Sequence, residues 1–156
     1  KGFVSKLFFT GVGQVPIDRA GGSAAEAALR TAIDILNKGD ALGIYPEGTR
    51  SPDGRLYRGR TGVARMALEA KVPVVPVAMI GTYELQPADR MVPKVGRVGI
   101  IFGKPLDFSA HYGDARNAET LRKVTNEIME AIRELSGQEY VDIYASAAKE
   151  ALKERE

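Results

Sequence analysis

The sequence predicts an α/β fold, in which a mostly parallel central sheet is flanked by helices. Short apolar runs rich in valine and isoleucine alternate with longer segments whose apolar residues recur at helical spacing. The runs at residues 74–80 and 98–102 are continuously apolar, which is typical of strands buried on both faces of a parallel sheet. Strands that alternate with helices in this way favour a layered α/β domain.

The predicted elements follow this alternation along the chain. Apolar stripes predict helices that cover residues 23–38, 61–70, 121–136 and 140–156, and Gly39 and Gly137 follow the ends of the first and third. Apolar runs predict strands at residues 41–45, 74–80 and 98–102. An opening segment, residues 1–10, also has an amphipathic helical pattern, and a short extended run follows it at residues 14–17.

Composition excludes several classes of function. The 156 residues suffice for one domain with a real core, and we predict a single domain over residues 1–156. The chain has no cysteine, which excludes disulfides, thiolate metal sites and a cysteine nucleophile. A net charge of +2 is too small to indicate a nucleic-acid partner by itself. No apolar run reaches the length of about 18 residues that a membrane-spanning helix needs.

The segment Tyr-Pro-Glu-Gly-Thr-Arg-Ser at residues 45–51 is the most informative one. It follows a predicted strand at the carboxyl end, where open α/β sheets bind their ligands. Five arginines lie in or after this segment, at residues 50, 55, 58, 60 and 65. Asp53 is the only acidic residue among residues 50–60, and a helix is predicted to begin at Thr61–Gly62. Guanidinium groups and helix N-termini both suit phosphate, so the pattern predicts a phosphate site. The alternative is a solvated loop with scattered arginines.

Three segments in order resemble the glycerol-phosphate and lysophosphatidate acyltransferase family. Val-Pro-Ile-Asp-Arg at residues 15–19 is similar to the family's second motif, and residues 45–51 are similar to its third, with Tyr45 in place of phenylalanine. Val-Pro-Val-Val-Pro-Val at residues 72–77 is similar to the fourth, although core packing in a buried strand is the preferred main role of that run. The resemblance covers roughly residues 3–106 and implies that family's fold.

The resemblance also implies which residues bind the substrate. Arg19 would contact the acceptor's phosphate, Glu47 and Gly48 would line the glycerol site, and Arg50 would help to hold the pocket. Arg60 stands where the family often has a lysine, so it would be a second phosphate ligand. The substrate-binding residues expected from the motifs are therefore Arg19, Glu47, Gly48, Thr49, Arg50 and Arg60.

The family's catalytic motif, a histidine and an aspartate separated by four residues, is missing. The single histidine, His111, follows the other motifs instead of preceding them, and Arg116 stands where the aspartate would be. We expect His111 in a surface loop and the catalytic motif upstream of Lys1, so this chain alone would contain no catalytic residue and be inactive. Glu47 is not expected to replace the base, because neighbouring arginines should lower its pKa.

The resemblance implies an enzyme that moves a fatty acyl group from acyl-CoA or acyl-carrier protein to the 2-hydroxyl of 1-acylglycerol-3-phosphate. We expect no metal and no redox cofactor. The open alternatives are a non-catalytic module that binds a phosphate-bearing lipid or nucleotide, and an α/β sugar-phosphate or nucleotide enzyme, disfavoured by the lack of a phosphate-loop motif. A membrane surface is an expected partner, through the opening segment or the arginines, at the cytoplasmic face of the cell membrane.

Overall fold

A computed structural model describes residues 23–88 and 90–154 of the chain. The chain divides into two compact units, Lys1–Gly43 and Ile44–Glu156. In the first unit the described structure is a helix, α1 (Ser23–Asn37), and the backbone at Gly39 has a φ of +85°, which suits a glycine after a helix end. Arg19, the opening segment and the extended run at 14–17 lie outside the described residues.

The second unit contains the remaining helices and strands. They are β1 (Leu56–Tyr57), α2 (Gly62–Ala70), β2 (Val77–Ile80), α3 (Thr82–Leu85), β3 (Gly99–Phe102), a 3₁₀ helix (Ser109–Asp114), α4 (Ala118–Ser136), β4 (Tyr140–Val141) and α5 (Ala145–Lys153). The helices predicted at 23–38, 61–70 and 121–136 are confirmed to within a few residues. The last predicted helix is shorter than expected, since a strand takes up its first residues.

Strand pairing in the second unit is of both kinds. β1 pairs in parallel with β4, with Leu56 opposite Tyr140, and β2 pairs antiparallel with β3, with Val77 opposite Phe102. A further antiparallel bridge joins Val74 to Leu106 and extends the second pair. The predicted α/β class with parallel pairing is confirmed, and the β2–β3 pair is an antiparallel addition to it.

The main core of the second unit lies between α2, α4 and the segment after β3. Its buried members are almost all aliphatic or aromatic: Val63, Ala64, Leu68, Phe108, Leu121, Val124 and Ile128. The helix α4 is fixed at its start by Asn117, whose side chain accepts bonds from the amides of Glu119 and Thr120. It ends at Gly137, which has a φ of +66°.

A second, smaller cluster positions the candidate site. Tyr57 of β1 is buried against Ala145 and Ala148 of α5, and Val141 packs beside them. Small residues on α5 let the helix approach β1 closely. The strand that follows the 45–51 segment and the last helix of the chain are therefore packed together.

Three details of the strand prediction are wrong. The run at 74–80 forms a strand only over Val77–Ile80, after an isolated bridge at Val74, and within that strand only Ala78 is buried. Residues 41–45 form no strand in the part of the chain that the structure describes, where their backbone has no ladder partner. Residues 98–102 do form a strand, β3, but its four residues are exposed, because among the described elements it pairs only with β2. In the described residues no helix is long and apolar enough to cross a bilayer.

Candidate functional site

The loop that carries Pro46, Glu47 and Gly48 is held in one conformation by backbone hydrogen bonds. The Gly48 amide donates to the Tyr45 carbonyl at 3.0 Å, closing a turn in which Gly48 has a φ of +74°. That left-handed conformation favours glycine over other residues. The Arg60 amide donates to the Pro46 carbonyl at 2.8 Å, which joins the loop to the segment just before α2. These two hydrogen bonds therefore fix the backbone conformation of the loop, which suits a binding site.

Glu47 points its carboxylate into the protein. Its Oε2 accepts the backbone N–H of Tyr57 at 2.7 Å, so the side chain bridges the loop to β1. Burial raises the pKa of Glu47 above its usual value, while the Tyr57 amide and the positive charge of Lys149 oppose that increase. The prediction that neighbouring arginines lower the pKa of Glu47 is wrong, because partial burial outweighs these opposing contacts.

Arg60 lies directly against the loop. A Cβ placed on Gly48 would come within 3.1 Å of Arg60 Cδ and 3.2 Å of its Nε, so only a glycine leaves this space to the arginine. The guanidinium stands 5.1 Å from the centre of the Tyr144 ring and donates to Ser146 Oγ at 3.3 Å. Within residues 23–88 and 90–154 it forms no ion pair, so its charge is available to an anion.

The last helix supplies residues that the sequence analysis missed. Lys149 of α5 donates from Nζ to Thr49 Oγ1 at 2.7 Å, and its charge acts on Glu47. Tyr144 and Ser146, at the start of α5, contact Arg60. The one signal in the sequence was a stripe of small residues, Ala145 and Ala148, facing inward beside these polar positions. That signal predicts packing and says nothing about which element the helix packs against.

The remaining arginines of the predicted cluster point to different partners. Arg50 donates from Nη2 to the Ala88 carbonyl at 3.0 Å, which ties the loop to the segment after α3. Arg55 forms ion pairs with Asp53 at 2.7 Å and Glu139 at 3.2 Å. Arg65 pairs with Glu69 on the same helix, and Arg58 lies 3.7 Å from Asp142. Of the five arginines, Arg60 alone lies against the loop that holds Glu47 and Gly48.

The structure thus brings together five of the six predicted site residues on one connected segment. Glu47, Gly48 and Thr49 are consecutive, Arg50 follows them, and Arg60 packs on Gly48. Arg19, the sixth, lies outside the described residues. His111, predicted in a surface loop, is a half-buried residue of the 3₁₀ helix Ser109–Asp114.

Positive charge, a hydroxyl and a preset turn at one place make this surface suited to an anion. Guanidinium and ammonium groups form charge-assisted hydrogen bonds with phosphate oxygens, and the arginine can do so with two N–H groups at once. The half-buried carboxylate of Glu47 stays engaged with the Tyr57 amide and does not compete for Arg60. The arrangement can therefore hold a phosphate next to a loop on which the Glu47 carboxylate and the Thr49 hydroxyl accept hydrogen bonds.

Comparisons with known proteins relate the chain to acyltransferases. A model of the Acyltransferase family matches residues 3–80, a range that includes all three motif segments. The chain is 33% identical over 96 residues to the chloroplastic 1-acyl-sn-glycerol-3-phosphate acyltransferase BAT2 of Brassica napus, covering 61% of this chain and 28% of that protein. It is 32% identical over 121 residues to the 1-acyl-sn-glycerol-3-phosphate acyltransferase of Bacillus subtilis, covering 77% and 56%.

A solved structure shows the same relationship. The crystal structure of the 1-acyl-sn-glycerophosphate acyltransferase PlsC from Thermotoga maritima matches with a TM-score of 0.56 and 36% sequence identity, over 71% of this chain and 45% of that one. The chain spans about half or less of the length of most of these proteins. The resemblance inferred from the three motifs is confirmed, and the chain belongs to the acyltransferase family.

Proposed function

We propose that this chain is the acceptor-binding part of a 1-acylglycerol-3-phosphate acyltransferase. The reaction moves a fatty acyl group from acyl-CoA or acyl-carrier protein to the 2-hydroxyl of the acceptor and yields phosphatidate. The observation that carries the proposal is the position of Arg60, whose side chain packs on Gly48, the residue that directly follows Glu47. The relatives that match this chain carry the name of that enzyme.

Each residue of the site has a role in the proposal. Arg60 binds the phosphate of the acceptor, and Arg19 is proposed as its second ligand. Gly48 leaves the space that the Arg60 side chain fills, and Glu47 holds the loop against β1 through the Tyr57 amide. Both residues are proposed to line the glycerol site. Arg50 and Lys149 fix the far side of the loop, through the Ala88 carbonyl and the Thr49 hydroxyl.

The proposed chemistry needs a base that this chain does not supply. The acceptor oxygen attacks the thioester carbonyl, the carbon–sulfur bond breaks, and the hydroxyl proton passes through the base to the departing thiol. A histidine suits this task because its pKa lies near neutrality. We propose that the histidine and its aspartate lie upstream of Lys1 in a longer protein, that this chain alone is inactive, and that no metal or redox cofactor takes part.

The proposed reaction also places the protein at a lipid surface. An acceptor with a long acyl chain is drawn from a bilayer, so we propose peripheral attachment at the cytoplasmic face of the cell membrane. A binding module without catalysis was the alternative to an enzyme. The family match and the names of the relatives support the enzyme over that alternative.

Two measurements test the proposal. The chain should bind short-chain 1-acylglycerol-3-phosphate and should bind the same 1-acylglycerol without its phosphate far more weakly, since the proposed site recognises the phosphate. A longer protein with a histidine motif ahead of residue 1 should produce phosphatidate from acyl-CoA and this acceptor, whereas the chain alone should give only background turnover. Equal binding of both lipids, or turnover by the chain alone, contradicts the proposal.

A further inference from the structure

The loop between α3 and β3 presents the most exposed apolar side chains among the described residues. Met91 is 93% exposed, Val92 is 76% exposed and Val95 is 105% exposed, all within five consecutive positions. Scattered apolar side chains are normal on a protein surface, whereas several that adjoin one another mark an interaction site. We call residues 90–98 the basic–apolar loop.

Hydrogen bonds hold this loop in place, so its apolar side chains are presented to solvent by a fixed backbone. Gln86 Nε2 donates to the Met91 carbonyl at 3.0 Å, and the Lys94 amide donates to the Leu85 carbonyl at 2.8 Å. A Cβ on Gly96 would collide with Leu85 Cδ2, so a larger residue at position 96 would require the leucine side chain to move. The chain thus uses polar contacts and one glycine to maintain a conformation that leaves Met91, Val92 and Val95 uncovered.

The same loop carries positive charge. Arg90, Lys94 and Arg97 are exposed, and residues 90–98 contain no acidic residue. None of the three forms an ion pair within the described residues. Aliphatic side chains interleaved with cations suit the boundary between anionic headgroups and acyl chains, where both groups find favourable partners.

The basic–apolar loop is linked to the candidate site. The Arg50 side chain, which directly follows Thr49, donates to the carbonyl of Ala88, two residues before the loop begins. A surface that binds lipid headgroups through residues 90–98 would therefore lie on a segment bonded to the loop that contains Glu47 and Gly48.

We propose that the basic–apolar loop docks on an anionic bilayer, with Met91, Val92 and Val95 entering the headgroup region and the three cations contacting lipid phosphates. This proposal rests on the proposed function in one respect: both include attachment of the protein to a membrane. Vesicle binding is measured without any acyl transfer. A longer protein that contains the histidine motif and binds vesicles through this loop, but fails to make phosphatidate, would refute the proposed function and leave the docking proposal intact.

The chain has no tryptophan, so one introduced residue reports on the loop without background. In Val95→Trp, the emission should shift to shorter wavelength when vesicles of phosphatidylcholine with roughly one-quarter phosphatidylglycerol are added. Lipids brominated near the headgroup should quench it. Leu152→Trp, on α5, is the control and should not respond to vesicles. An unchanged Val95→Trp emission overturns the proposal, and a shift that follows protein concentration without vesicles would indicate a second copy of the chain instead.

Charge removal tests the cations separately. The triple variant Arg90→Gln, Lys94→Gln and Arg97→Gln should bind the same anionic vesicles about 100-fold more weakly in a sedimentation assay, at about fivefold per cation. The matched triple variant Arg116→Gln, Lys123→Gln and Lys153→Gln removes the same charge from exposed positions elsewhere and should bind within a few-fold of the original chain. Equal losses in the two triple variants would overturn the proposal, because the attraction would then depend only on net charge.

Discussion

Replacing Arg60 with methionine tests the proposed phosphate site most directly. Methionine keeps an unbranched apolar stem that can still lie on Gly48, while it removes the guanidinium that forms no ion pair among the described residues. A charge-assisted hydrogen bond to a phosphate contributes about 1.5–3 kcal/mol. At about 1.4 kcal/mol for each factor of ten, Arg60→Met should weaken acceptor binding about 10- to 150-fold.

The same substitution should leave the protein nearly as stable as before. Arg60 contributes one hydrogen bond to Ser146 at 3.3 Å and one cation–π contact with Tyr144, both at an exposed position. An exposed contact of the latter kind is worth about 0.5–1 kcal/mol, so the free energy of unfolding should fall by about 1 kcal/mol or less. A large loss of binding with a small loss of stability distinguishes a ligand contact from a structural one.

The assay is calorimetric titration of the chain with short-chain 1-acylglycerol-3-phosphate, and denaturant unfolding is measured on the same samples. Arg116→Met is the matched control, because Arg116 is exposed and forms no ion pair among the described residues. It should bind the lipid as the original chain does. An Arg60→Met variant with unchanged affinity, or an equal loss in Arg116→Met, would refute the assignment of Arg60 to the phosphate.

Three further substitutions probe the structure around the site. Lys149→Met removes a charge that opposes the raised pKa of Glu47, so that pKa should rise further and stability should fall more steeply as pH increases above the usual range of a glutamate pKa. Lys153→Met on the same helix should keep the original pH profile in denaturant unfolding, and an identical profile in both variants would contradict the reasoning. Asn117→Ala should lower the free energy of unfolding by about 1 kcal/mol, because it removes the cap of α4; an unchanged urea midpoint would speak against that role. Gly59→Ala should destabilise the protein by about 1–3 kcal/mol, because a Cβ there would lie 2.8 Å from Met129 Sδ; an unchanged melting temperature would show that the Met129 side chain moves aside at little cost.

Helices could be predicted from the sequence more completely than strands. The stripe that defines α4 and the glycine after it depend on neighbours three and four positions away, so the local pattern contains the whole signal. A strand needs partners that are distant in sequence. The apolar run at 98–102 correctly predicted β3, but it did not indicate that the strand pairs only with β2 among the described elements or that its side chains remain exposed.

The same contrast holds for the candidate site. The segment at 45–51 identified Glu47 and Gly48, because the motif is contiguous and its chemistry is visible in the letters. The contribution of α5 was invisible, because Lys149 lies 100 positions from Thr49, whose hydroxyl accepts its hydrogen bond. The arginines illustrate the opposite error. Their crowding suggested one cluster, whereas ion pairs such as that between Arg55 and Asp53 direct most of them away from the site.

The role of Glu47 follows from what its carboxylate already does. A general base must reach the hydroxyl proton of the acceptor with a free lone pair, and its pKa must suit the working pH. Burial does raise the pKa of Glu47, which is the direction that favours a base, so electrostatics alone does not exclude it. The hydrogen bond gives the stronger argument: Oε2 accepts from the Tyr57 amide at 2.7 Å, and a proton taken by either oxygen would neutralise the carboxylate and weaken the contact that holds the loop to β1. We therefore infer that Glu47 positions the loop on which Arg60 packs, and that the proton acceptor comes from another residue.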